Sequence, residues 1–269
     1  MKKEGFFSRN TKGASVWGTD NRYRLTIPAS KDDDKSPFQR YRLAQLDDYT
    51  GLTRRNFLHH SLTLSLRARA SSDSISGTWG FGLWNDPFGL SPGFGGNPFR
   101  LPALPNAAWF FHASPPNYLS FHDDKPGQGF LAQTMRASGF HPLIVPAGLA
   151  FPFSRKTTRR LLGRMIEEDG VNLSSRRSLS LTDALENASY TLDVTQWHGY
   201  RLEWSKKRVL FEVDHARVLE TSVSPRGPLG LVIWIDNQYA EFTPEGKFGF
   251  GVLQGGEEWI EVEDINISS

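Results

Sequence analysis

Asp236 follows the very apolar stretch Leu231-Val-Ile-Trp-Ile235, and burial beside such a run raises a carboxyl pKa toward the range useful for acid catalysis. It is the first candidate catalytic carboxylate. Asp86, in Asn85-Asp86-Pro87, is the second. His112 ends the aromatic run Trp109-Phe-Phe-His112 and is the natural general base if chemistry occurs there. Trp84, Asn85, Trp109, Trp234, Asn237, Gln238 and Tyr239 are the candidate ligand-binding residues around them. Rings beside amides and carboxylates suit sugars, whose C–H faces stack while their hydroxyls need both donors and acceptors. Plainer roles stand beside each of these. Tryptophans on strands fill cores, Asx side chains at strand ends satisfy turn backbones, and a histidine among aromatics is often a hydrogen-bonded core residue.

Other chemistries find no support. The 7 histidines show neither HxH nor HExxH spacing, so no transition metal is expected, and no cofactor. Structural calcium at a sheet edge stays open, with ligands the pattern does not name. There is no phosphate loop, nucleophile elbow or SxxK motif. With 0 cysteines there is no disulfide framework or thiolate site. The 31 basic and 29 acidic residues leave a net charge of +2, too balanced to draw nucleic acid by bulk electrostatics.

The elements that must carry these residues read as strands. Leu62-Thr-Leu-Ser-Leu-Arg-Ala-Arg-Ala70 alternates strictly, as a half-buried antiparallel strand does. Tyr200-Arg-Leu-Glu-Trp204 and Val209-Leu-Phe-Glu-Val213 are two alternating runs joined by a polar turn, a hairpin. Leu231 to Ile235 reads as a strand covered on both faces, and the strand that faces the groove is expected to run from Ile233 to Tyr239, beside those at Trp79 to Trp84 and Ala108 to His112. The 269 residues show neither repeat nor long linker, which predicts a single β-sandwich domain over 1–269. The N-terminus MKKEGFFSRNTKG begins like a signal peptide but has no apolar run behind it, and no stretch approaches a membrane span. A soluble, cytoplasmic protein is expected of the chain as given; a chain from which a leader had been removed would be an exported one.

An insertion at about 141–177 breaks the pattern. Residues 141–153 are apolar and proline-punctuated, a packed loop. Leu161, Leu162, Met165 and Ile166 then recur at helical spacing. From Ser154 to Arg177 there are 7 basic and 3 acidic residues. A surface helix covering a sheet edge explains this plainly; a lid or an anionic-surface contact is the sharper reading.

Thr195-Gln-Trp-His-Gly-Tyr-Arg-Leu-Glu-Trp204, followed by Arg208-Val-Leu-Phe-Glu-Val-Asp-His215, resembles a hairpin of family-16 glycoside hydrolases and their concanavalin A-like relatives. Gly77-Thr-Trp-Gly-Phe-Gly-Leu-Trp-Asn-Asp-Pro87 is similar to the strand before that family's active site, and Glu258 to Ile267 to its terminal strand. The resemblance implies an all-β fold: a two-sheet antiparallel jelly roll with one short helical insertion. It also implies an acidic strand, E-x-D-x-x-E, after the Trp84 region, because a retaining glycosidase needs two nearby carboxyl groups. The chain departs here. The 36 residues from Pro87 to His122 contain no Asp or Glu, and the strand-like piece in that place is Ala107-Ala-Trp-Phe-Phe-His-Ala-Ser114. Glu261 and Glu263 alternate on the terminal strand, where an outer-face role is expected, and Asp32 to Asp34 lie in a polar loop.

These observations point to a carbohydrate-interacting protein on a glycosidase-like scaffold, either a non-hydrolytic glycan binder or an enzyme with relocated acids. Whether it is an enzyme stays open. The second reading is a protein for an apolar small molecule held in an aromatic pocket, motivated by Trp79, Phe81, Trp84, Trp109, Phe110 and Phe111 with the apolar loop beyond them. A purely structural protein is the third.

Overall fold

The computed structural model describes residues 6–30, 40–48, 61–86, 104–137, 151–174 and 192–269. Asp32 to Asp34 and residues 141–150 of the apolar loop lie outside them.

Two seven-stranded antiparallel sheets dominate. The first runs β1 (Phe7–Asn10), β4 (Leu43–Asp47), β13 (Gly230–Asp236), β6 (Thr78–Trp84), β7 (Ala107–Ala113), β8 (Gly129–Ala137), β9 (Ile166–Asn172). The second runs β12 (Ala216–Thr221), β11 (Val209–Val213), β10 (His198–Trp204), β5 (Leu62–Ala70), β16 (Glu258–Ser268), β3 (Arg22–Ile27), β2 (Ser15–Thr19). Consecutive strands pair within β6 to β9 and within β10 to β12, while several other neighbours are distant in sequence, as in a jelly roll: β13 lies between β4 and β6, and β16 between β5 and β3. A separate ribbon pairs β14 (Gln238–Phe242) with β15 (Phe248–Val252).

Period-2 alternation decides which side chains meet between the sheets. Trp79, Phe81 and Leu83 of β6, Phe110 of β7, Phe130 of β8 and Ile233 of β13 join Leu64, Tyr200, Leu202, Phe211 and Ile260 in one buried cluster. Removing each large apolar side chain from water contributes about 1.5–3 kcal/mol. The expected hairpin is present, with Tyr200 opposite Val213 and Trp204 opposite Val209. Glu261 and Glu263 lie on the outside of the second sheet, where Glu261 pairs with Arg69 at 2.7 Å and with Arg24 at 3.5 Å.

Two elements differ from the sequence reading. The helix α1 spans Arg155–Met165, capped by Ser154 Oγ, which accepts from the Thr157 amide. It stops before Ile166, because Ile166 is buried opposite Ala137 as the first residue of edge strand β9. A β-branched side chain with a strand partner outweighs the helical spacing. The second difference is at Asp236 to Tyr239, which do not form one strand. Asn237 turns the chain out of β13, accepting from the Arg42 amide and donating to the Arg40 and Leu253 carbonyls, so Gln238 begins the ribbon instead.

Candidate functional site

The outer face of the first sheet is a grid set by strand register. One row carries Leu43, Asp236, Thr78, Ala113 and Gly129. The next carries Gln45, Trp234, Gly80, Phe111 and Leu131. A third carries Asp47, Val232, Gly82, Trp109 and Gln133, and a fourth Gly230, Trp84, Ala107, Met135 and Glu168. Trp84, Trp109 and Trp234 therefore converge on one face. The rings of Trp84 and Trp234 stack at 6.1 Å with planes 4° apart, and Trp109 lies 5.7 Å from the first and 5.6 Å from the second.

Glycines make room for them. A Cβ on Gly80 would stand 3.1 Å from the Trp234 ring, and one on Gly82 would stand 2.6 Å from Trp109 Cβ. The alternation Trp79-Gly-Phe-Gly-Leu thus serves two ends, bulky residues for the inter-sheet core and bare backbone beside the indoles.

The indole N–H groups of Trp109 and Trp234 each feed a relay that ends on a carboxyl group. Trp234 Nε1 donates to Thr78 Oγ1 at 2.9 Å, and that hydroxyl donates to Asp236 Oδ1 at 2.8 Å. Trp109 Nε1 donates to Gln133 Oε1 at 3.1 Å, and Gln133 Nε2 donates to Glu168 Oε1 at 2.9 Å. Burial pushes Asp236 up to about 7 against the hydrogen bonds from Thr78, the Gln238 amide and Tyr41 that favour its ionised form. Burial also raises Glu168, opposed by the Phe121 amide, Ser120 and Gln133. The Tyr41 hydroxyl in turn is held well above its ordinary range by burial and by the neighbouring Asp236.

A roof closes part of this face. Tyr118 bridges to Glu241 of β14, and Asn117 Oδ1 accepts from the Ala240 amide at 2.9 Å. Gln133 Nε2 also donates to the Leu119 carbonyl, and Glu168 accepts from the Phe121 amide. Leu119, Val252 and Trp84 pack as partly buried residues against the cluster of Trp109, Phe111 and Trp234. Trp109 is 7% and Trp234 9% exposed, so Trp84 presents the more open indole.

The candidate residues divide accordingly. Trp84, Trp109, Trp234 and Asp236 share the outer face. His112 faces the inter-sheet core, stacked on Trp79 at 5.8 Å and bonded to the Ile75 carbonyl, with burial lowering its pKa to about 4. Asn85 bridges the Leu104 carbonyl and the Asn106 amide, and Asn237 holds the turn described above. Gln238 and Tyr239 lie on the ribbon. Asp86 follows the far end of β6, whereas Asp236 pairs with Thr78 at the near end. Six residues of strand, roughly 20 Å, separate those ends. Asp236 and Glu168 stand on strands four places apart, roughly 19 Å. Asp47 shares a strand pair with Asp236 but is offset by four residues, roughly 14 Å. Asp47 accepts from Arg9 Nε and Gln45 Nε2, each at 2.6 Å. Each separation exceeds the ~5–9 Å that glycosidase acids use. Among the described residues, no group of three or more His, Asp or Glu could hold a metal ion.

The sequence reading missed Thr78, Tyr41, Gln133, Glu168 and Asp47. Only Gln133 left a trace, an amide inside the mostly apolar Phe130-Leu-Ala-Gln-Thr-Met135.

No protein-family model matches the sequence, and no curated protein matches it. Among solved structures, the endo-β-1,4-glucuronan lyase of the fungus Trichoderma reesei is similar with a TM-score of 0.51 and 10% identity, over 100% of this chain and 92% of that one. A family-16 glycoside hydrolase from the mixed linkage glucan system of Bacteroides ovatus gives 0.46 at 9% identity, over 100% of this chain and 96% of that one. A legume lectin-like domain from Entamoeba histolytica gives 0.44 at 10%, over 98% and 90%. The architecture is that of the concanavalin A-like jelly rolls.

Proposed function

We propose that this chain binds carbohydrate on the outer face of its first sheet and does not hydrolyse it by the two-carboxylate route. The observation that carries this reading is the triad of Trp84, Trp109 and Trp234, gathered on one face with its buried indoles hydrogen-bonded in place. Fixed rings lose little entropy when a sugar stacks on them, which favours binding. The wide spacing of Asp236, Asp47 and Glu168 argues against a general acid and nucleophile acting across one bond. The likeness in fold to a glucuronan lyase is consistent with a polysaccharide ligand.

Affinity electrophoresis through neutral and uronate-containing polysaccharides, run beside a reducing-end assay, tests the proposal. Retention without release of reducing ends is expected. Trp84→Ala should weaken binding about tenfold, equivalent to ~1.4 kcal/mol of lost stacking. No retention on any polysaccharide, or steady release of reducing ends, would sink it.

The burial of Trp109 and Trp234 beneath Leu119 and Val252 favours the second reading, a pocket for an apolar small molecule. Tryptophan fluorescence separates the two. An apolar dye that shifts the emission where oligosaccharides do not would select the pocket.

A further inference from the structure

Four large apolar side chains stand exposed among the described residues, and two of them, Phe153 at 90% and Phe250 at 63%, follow two residues after a pair of rings in contact, Phe151 and Phe248. The turn before α1 and the strand β15 meet through Phe151 and Phe248, whose rings lie edge to face at 5.0 Å. Phe248 continues the contact to Phe242 at 5.6 Å and to Phe250 at 6.1 Å. Arg155 lies over both Phe151 and Phe248. An aromatic tract this exposed costs solubility unless something covers it in use.

The neighbouring charge names the covering. Arg155, Lys156, Arg160 and Arg164 of α1 are exposed, and Lys156, Arg160 and Arg164 follow one another at i, i+4, i+8, a single stripe. This arrangement does not serve the helix. Like charges at i, i+4 repel, and cations in a first turn that holds no acidic residue oppose the macrodipole. The fifth cation, Arg159, is the one spent on the fold: it is buried, donating to the Phe242 and Ser120 carbonyls and pairing with Asp123. The acids facing the patch are few. Glu241 is buried and paired with Lys247 at 2.9 Å, Asp123 is held by Arg159, and Glu245 lies near Lys156 and Arg159.

We infer that this patch docks the protein on an anionic lipid bilayer, with Phe153 and Phe250 entering the interface and the α1 stripe meeting the headgroups. Both requirements, apolar depth for the rings and negative charge for the stripe, are met together by such a surface. The apolar side of α1 is unavailable for insertion, since Leu161, Leu162 and Met165 pack against Met135, Ala137 and Phe121. Docking therefore rests on the flanking phenylalanines, independently of ligand binding on the first sheet.

The test is sedimentation of the full chain with vesicles of phosphatidylcholine alone or mixed with phosphatidylserine. About tenfold stronger partition into the anionic vesicles is expected, weakening as salt is raised. The double variant F153A/F250A should lose at least about tenfold of it, and K156E/R160E should reduce it to the neutral-vesicle level. All four positions are exposed, so thermal melts should match the parent; F153A alone carries the test if a double variant does not fold. Equal partition into both vesicle types, or unchanged binding by F153A/F250A, overturns the inference.

Discussion

Asp236 and His112 sit in neighbouring register rows of the same sheet and face opposite sides of it. Asp236 shares its row with Thr78 and Ala113, while His112 shares the next with Trp79 and Ile235. The strand alternation that sends Asp236 to the indole face sends His112 to the core. Both are buried, and burial acts on them in opposite senses, raising the acid to about 7 and lowering the imidazole to about 4.

Their contributions to stability should therefore offset one another. Above 3.8 the unfolded Asp236 carboxyl ionises while the folded one keeps its proton to about 7, so stability is lost as pH rises through that window. Below 6.5 the unfolded imidazole gains a proton while the folded one stays neutral down to about 4, so stability is lost as pH falls. Between about 4 and 6.5 the two slopes, each up to ~1.4 kcal/mol per pH unit, oppose. Glu168, also raised, adds to the Asp236 direction. Urea denaturation across this range should give a shallow profile for the parent. Asp236→Asn should uncover stability that climbs with pH, and His112→Gln stability that falls. Variants with profiles parallel to the parent would contradict the assignment.

Gln133 links Trp109 to Glu168 with both ends of its amide. Gln133→Leu fits the apolar surroundings but strands the Trp109 indole N–H and takes one donor each from Glu168, which keeps the Phe121 amide, and from the Leu119 carbonyl. A loss of about 2–6 kcal/mol in urea denaturation is expected, from the unsatisfied indole at ~1–3 kcal/mol and two lost hydrogen bonds at ~0.5–1.5 kcal/mol each. Gln133→Glu should cost at least as much, because it sets a second carboxyl beside Glu168.

The strands that hold these residues were legible because alternation is a local signal: Leu62 to Ala70 buries every second side chain as its sequence implies. The tryptophans of the cluster were legible one by one, since Trp84, Trp109 and Trp234 each fall on a stretch that reads as a strand. The relays were not. Thr78 and Tyr41 meet at Asp236, and Gln133 meets Glu168, only through the pairing of separated stretches, which the sequence of one strand does not encode. Glu168 was further disguised by standing after Met165 in what reads as the tail of a helix. The separation of Asp86 from Asp236 was equally hidden, because both precede turns and only the pairing of Thr78 with Asp236 sends them to opposite ends.

Gly77 sets where β6 begins against Asp236. Its φ is +120°, and a Cβ there would stand 2.1 Å from the Asp236 carbonyl oxygen and 2.6 Å from Asn237 Cα. Both contacts are backbone, so no rotamer change relieves them. Gly77→Ala should destabilise by more than ~2 kcal/mol, combining strain at positive φ with overpacking. The same variant should also disturb the Thr78–Asp236 hydrogen bond; because that bond favours the ionised carboxyl, its loss should push Asp236 higher still and carry the loss of stability to higher pH. A fully stable Gly77→Ala protein would show that the strand can slide.

Arg159 ties α1 to the roof over the indoles. Its Nε donates to the Phe242 carbonyl at 2.9 Å and Nη2 to the Ser120 carbonyl at 3.0 Å, with the guanidinium 5.7 Å from the centre of the Tyr118 ring. Phe242 ends β14 and Ser120 belongs to the loop that reaches Glu168, so one side chain clamps three segments. Arg159→Ala leaves two carbonyls short of donors and removes the packing of the alkyl stem. Because α1 lies outside the sandwich core, the damage should be local. Hydrogen exchange should speed through residues 155–165 and 238–242, while β5, β10 and β16 keep the parent's protection. Arg159→Lys keeps the charge but offers one point donor in place of a planar fork, so it should rescue the helix only in part. Uniform loss of protection across both sheets in Arg159→Ala would mean that the clamp supports the whole sandwich instead of the roof.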